Sequence, residues 1–69
     1  MIDVDELRGI IAKKGYTQAK VAKHLNITPK TFYLKMSKGV FGSDEIEKMI
    51  LLLEIKDPAT IFFNQLVTL

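Results

Sequence analysis

Apolar residues recur at three- and four-residue spacings in five short blocks separated by cap and turn residues, the pattern of amphipathic helices rather than strands. Leu7, Ile10 and Ile11, with the stem of Lys14, share one face of a first helix over residues 4–14. Asp3 stands at its N-cap, and Glu6 three positions on completes a capping-box pair. Gly9 inside this helix costs about 1 kcal/mol relative to alanine, and close packing against another helix is one reason to tolerate it. Gly15 then reads as a left-handed C′ residue with Tyr16 folded back onto Ile11. Thr17 caps a second helix over 18–24, whose inner face holds Val21 and Leu25 with Ala22 beside them. Thr28 caps a third, and Pro29 takes its first position, where a missing N–H does no harm. Phe32 and Met36, four apart, turn inward on this helix, which continues to about residue 37. A loop with two glycines follows. Ser43 caps a fourth helix, its first turn acidic through Asp44, Glu45 and Glu47, its inner stripe Ile46, Met49, Ile50 and Leu53. Asp57-Pro58 opens a fifth, carrying Ile61, Phe62 and Leu66. Phe41, Phe62 and Phe63 are most simply core, although one of the adjacent pair must point elsewhere. The expected fold is all-α, five helices in one domain over residues 1–69.

Composition narrows the function classes. A chain of 69 residues buries a limited fraction of its surface and is marginally stable unless stapled or oligomeric. It has no cysteine, which excludes disulfides and thiolate zinc sites. No apolar run approaches the roughly 18 residues of a membrane span, and no signal-peptide pattern precedes the first helix. The expectation is therefore a soluble cytoplasmic protein without membrane contact. His24 stands alone, with no second histidine or cysteine to complete a metal site. Ser37, Ser43 and the acids make no nucleophilic triad pattern, and Gly39 to Gly42 make no phosphate-cradling loop. No enzymatic activity, catalytic residue, metal or cofactor is expected.

Charge changes the picture more. Residues 13–38 carry seven lysines (Lys13, Lys14, Lys20, Lys23, Lys30, Lys35 and Lys38) and no acid. The rest of the chain sets all eight acids against Arg8, Lys48 and Lys56, a net −5, so the overall +2 conceals a strong dipole. The basic pole coincides with a helix-turn-helix pattern over about 17–37. Two helices joined by a tight turn meet at a steep angle. The crossing position must be small and is Ala22. The turn favours a left-handed backbone and holds Asn26, whose short polar side chain tolerates positive φ. Val21, Leu25, Ile27 and Phe32 supply the apolar residues that close the corner.

The Thr17-Gln18 start and the run from Ala22 to Ile27 resemble the lambda repressor and Cro family of helix-turn-helix regulators. Lys30-Thr31-Phe32-Tyr33, with the later Lys56-Asp57-Pro58 and Phe62-Phe63, is similar to a group of small phage Cro-like proteins. The resemblance spans about residues 4–64. One departure stands out: the family pattern has an apolar residue where Lys35 stands and a polar one where Met36 stands. With Phe32 and Met36 inward, the third helix is slightly rotated, and the Lys35 stem lies along the core edge.

Candidate roles follow from that phase. Lys30, Tyr33, Leu34 and Ser37 face outward. The start of such a helix approaches base edges in the major groove, which makes Thr28, Pro29, Lys30, Tyr33 and Leu34 candidate base contacts. Lys30 suits guanine or a phosphate, and Leu34 suits a thymine methyl. The resemblance implies a phosphate contact for Gln18, whose backbone N–H at a helix start also suits an anion. Lys20, Lys35, Ser37 and Lys38 are candidate phosphate contacts, which position the protein rather than specify sequence. Lys13, Lys14 and Lys23 read more simply as solvated. Phe63, Leu66, Val67 and Leu69 form the candidate dimer interface, with burial of this tail inside one monomer as the competing expectation. The leading expectation is a phage-type, Cro-like repressor in a bacterial host cell, a homodimer on an inverted-repeat operator in double-stranded DNA. The alternative is an antirepressor or antitoxin-like modulator, with Tyr33 and Leu34 as anchors for a partner such as a cognate phage repressor protein.

Overall fold

The computed structural model describes residues 2–62, and within them the apolar periodicity becomes five helices. These are α1 (Val4–Lys13), α2 (Gln18–His24), α3 (Pro29–Lys38), α4 (Ser43–Leu52) and α5 (Pro58–Phe62). No strand occurs among the described residues, in agreement with the all-α expectation. Phe63, Leu66, Val67 and Leu69, the candidate dimer interface, lie outside the described residues.

The helix starts show which caps the sequence specifies locally. Side-chain oxygens of Asp3, Thr17 and Thr28 accept the N–H groups of Glu6 at 3.1 Å, Lys20 at 3.1 Å and Thr31 at 3.2 Å. Each satisfies a donor that the first helical turn leaves unpaired. Two expectations need correction. At α1 the N–H of Asp3 donates not to Glu6 but to the carbonyl oxygen of Ile61 at 2.7 Å. A tertiary bond replaces half of the capping box and ties the start of α1 to α5. At α4 the cap is Gly42, and Ser43 is the first helical residue. The Glu45 carboxylate reaches back to accept the Gly42 N–H at 2.8 Å, which fixes the helix entry one residue earlier than a serine hydroxyl would.

The ends of α1, α2 and α4 share one device. Gly15, Asn26 and Glu54 have φ of 83°, 66° and 54°. At each, paired backbone bonds close the helix: Tyr16 N–H to Ile11 O, Ile27 N–H to Ala22 O, and Ile55 N–H to Ile50 O, at 3.0, 3.1 and 3.0 Å. This is the Schellman arrangement, which returns an apolar residue to the core just past the helix. Gly15 and Asn26 are suited to it. Glu54 is not a residue that favours positive φ, and the turn there follows from Ile55 being drawn into the core.

One core joins all five helices. Leu7 and Ile11 of α1, Val21 and Ala22 of α2, Phe32 and Met36 of α3, and Met49 of α4 are buried. Ile2, Leu25, Phe41, Leu53, Ile55, Ile61 and Phe62 complete it. The rings of Phe32 and Phe41 lie 5.3 Å apart at 53°, so the loop after α3 is pinned from within. No buried polar or charged residue interrupts the core among the described residues. Close packing does not account for Gly9: it is exposed, and a Cβ there would meet nothing within 4 Å. Nothing in the structure explains that glycine.

Candidate nucleic-acid interface

The corner between α2 and α3 forms as its residues require. Ala22 is fully buried, so the two helices approach without a side chain to separate them. Asn26 takes the left-handed conformation, and its N–H donates to the Lys23 carbonyl at 3.0 Å. Val21, Leu25 and Phe32 are buried and Ile27 is half-buried, packed on the same cluster. Phe32 and Met36 anchor α3 from inside, which sets the helix phase and hence what the outer face presents.

That face carries Pro29, Lys30, Tyr33, Leu34 and Ser37, all exposed. Tyr33 and Leu34 are 50% and 52% exposed, large values for side chains of their size. Thr28 is exposed too, but its hydroxyl is engaged: it accepts the Thr31 N–H and donates to Thr31 Oγ1 at 2.9 Å. It therefore serves first as a cap. Lys20 and Lys38 are exposed and Gln18 is half-buried at the start of α2. Lys20 and Lys23 border a shallow depression with Tyr16 and His24, whose rings meet edge-on at 5.9 Å.

The lysine block divides into paired and unpaired members. Lys14 Nζ lies 3.1 Å from Glu54 Oε1, an exposed pair. Lys35 Nζ donates to both carboxylate oxygens of Glu45, at 2.7 and 2.9 Å. Lys13, Lys20, Lys23, Lys30 and Lys38 have no carboxylate within 4.0 Å among the described residues. These five cations present an uncompensated field, as a polyanion requires. Lys35 is half-buried on α3, and its ammonium, expected at a phosphate, is bound by Glu45 instead. Burial alone would raise the Glu45 carboxyl. The hydrogen bonds from Lys35 and from the Gly42 N–H, with the charges of Lys35 and Lys48, outweigh it and hold the group below its usual value of 4.5.

Two further residues border this surface. In the sequence Glu45 reads only as an acid favouring the start of α4. A lysine at an otherwise apolar helix position, with an acid flanking the inner stripe at Ile46, was the available signal. Val40, 65% exposed, stands beside Leu34 and Phe41 in a shallow apolar depression rimmed by Thr31, Lys35 and Lys38. Only its apolar character hinted at that.

No helix among the described residues is long and apolar enough to cross a membrane. No curated protein and no solved structure matches the chain. A family model described as bacterial regulatory protein, Fis family, matches residues 3–39, the span from the cap of α1 to the end of α3. The match covers more than half of the 69 residues and contains the whole α2–α3 corner with its basic outer face, so the chain belongs to the Fis family of bacterial regulatory proteins and is a helix-turn-helix DNA-binding transcription regulator.

Proposed function

We propose that the chain is a phage-type, Cro-like repressor that binds an inverted-repeat operator as a homodimer. The observation that carries this reading is the outer face of α3: Lys30, Tyr33 and Leu34 point away from a core anchored by Phe32 and Met36, beside unpaired lysines. In the proposed complex Pro29, Lys30, Tyr33 and Leu34 meet base edges in the major groove, with Thr28 at the helix start. Gln18, Lys20, Ser37 and Lys38 hold the phosphates. One module of this size makes few base contacts, so a second copy on a half-site about 34 Å away supplies selectivity. The proposed effect on transcription is steric: an occupied operator blocks polymerase or a competing repressor. The reading assigns the chain no catalytic step and no cofactor.

A second reading has its own observation. The exposed apolar side chains of Tyr33, Leu34 and Val40 suit a protein partner, and an antirepressor would use them against a cognate repressor. Retardation of the DNA flanking the chain's own gene, measured at several salt concentrations, separates the two. Specific retardation that weakens steeply with salt supports the operator reading. Binding of the neighbouring repressor alone, with no operator footprint at low salt, would contradict it.

A further inference from the structure

We propose that Glu45 is a positioning residue that withholds the Lys35 ammonium from DNA, so that the recognition helix binds with one cation fewer than its sequence offers. This inference rests on the DNA-binding reading of α3 and concerns which of its cations take part.

The geometry is specific. Lys35 sits on α3 one position before Met36, at the margin of the core. Its ammonium donates to both oxygens of a single carboxylate, at 2.7 and 2.9 Å. That carboxylate also accepts the Gly42 N–H at 2.8 Å. The side chains of Lys35 and Glu45 are 33% and 15% exposed, so the pair lies mostly out of solvent. Three points of backbone are joined through one group: the last turn of α3, the loop residue Gly42, and the first turn of α4. The pair thereby holds the recognition helix against α4 from the polar side, while Phe32 on Phe41 holds it from the apolar side. Lys30 and Lys38, by contrast, stand exposed with no carboxylate near them among the described residues.

A cation bound in this way does not displace counterions from DNA. Each phosphate neutralised by a lysine adds about 0.9 to the slope of log affinity against log salt, so the slope counts the cations that take part. A purely structural role for Glu45 would change stability and leave that slope alone.

The test uses the full chain and a short mixed-sequence duplex, titrated at several salt concentrations. Glu45→Gln keeps an oxygen for the Gly42 N–H and removes the charge that holds Lys35. Its slope should steepen by about 0.9, and Lys35→Met in the wild-type background should leave the slope unchanged. The double variant should return to the wild-type slope. Glu47→Gln, on the exposed side of α4, makes the same change in net charge and should not steepen it. A shallower slope for Lys35→Met alone, or no change for Glu45→Gln, would overturn the proposal. Amine labelling read by mass spectrometry tests the pair without DNA: Lys35 should react more slowly than Lys30 and Lys38, and catch up in Glu45→Gln. Labelling of Lys35 as fast as Lys30 in the wild type would overturn the pairing by itself. A wild type that binds no duplex would overturn the withholding together with the DNA-binding reading.

Discussion

Lys30 and Tyr33 carry the most direct consequence of the helix phase. Both project from α3 opposite Phe32 and Met36, so removing them takes nothing from the core. Lys30→Ala and Tyr33→Ala are expected to weaken operator binding, by about 1–3 kcal/mol where the lost contact is to a base edge. Helical content and the cooperativity of melting should be unchanged by circular dichroism. Loss of the fold in both variants would mean that they are core residues. Asn26 is a second such position. Its φ of 66° costs a residue with a bulky Cβ about 1–2 kcal/mol, so Asn26→Val should lower the unfolding free energy by that amount and Asn26→Gly should not. At this scale the sequence was informative where a residue's chemistry has one outlet, as in Gly15, Asn26, Thr17 and Thr28. It was uninformative where the backbone conformation is imposed from a distance. Glu54 is left-handed because Ile55 and the core require it, and Glu45 found Lys35 ten residues away.

Among the elements, the α2–α3 corner is the one whose form follows most completely from its own residues. Ala22 is fully buried at the crossing, and a branched side chain there must push the recognition helix outward. Ala22→Leu is expected to cost about 1–3 kcal/mol by overpacking and to weaken DNA binding beyond what stability alone explains. Urea unfolding and retardation at matched folded fraction would separate the two effects. Wild-type DNA affinity in this variant would show that the corner does not set the reading geometry. The starts of α1 and α4 were less legible for a physical reason. The Asp3 N–H had two acceptors in reach, and the distant carbonyl of Ile61 won over the local Glu6. At α4 the Gly42 N–H was claimed by a carboxylate two residues past the expected serine cap.

For the molecule as a whole, the separation of charge joins stability to function. Among the described residues the basic segment meets the acidic remainder at two points, Lys14 with Glu54 and Lys35 with Glu45, and the second gives a pH signature. The Glu45 carboxyl is held below its usual value of 4.5 in the folded chain, so the unfolded state binds the proton first. The resulting stabilisation is fully present above about 4.5 and fades as the pH falls through the lower folded value. The stability advantage of the wild type over Glu45→Gln in urea should therefore be constant near neutral pH and shrink in the acid range. An advantage that grew on acidification would reverse the assigned direction. The five-helix fold was legible from periodicity and caps alone, because each apolar stripe had one core to enter. Assembly was not legible in the same way: Phe63, Leu66, Val67 and Leu69 are apolar, but apolarity does not distinguish a dimer interface from a tail packed on its own chain.

In the proposed complex the outer face of α3, phased by Phe32 and Met36, is the surface that meets DNA. Amide chemical shifts followed while the DNA flanking the chain's own gene is titrated in at low salt test it residue by residue. The largest changes are expected over residues 28–34 and at the start of α2 around Gln18, with α4 nearly silent. Changes centred on α4 and Leu51, or saturation with residues 28–34 unmoved, would contradict it.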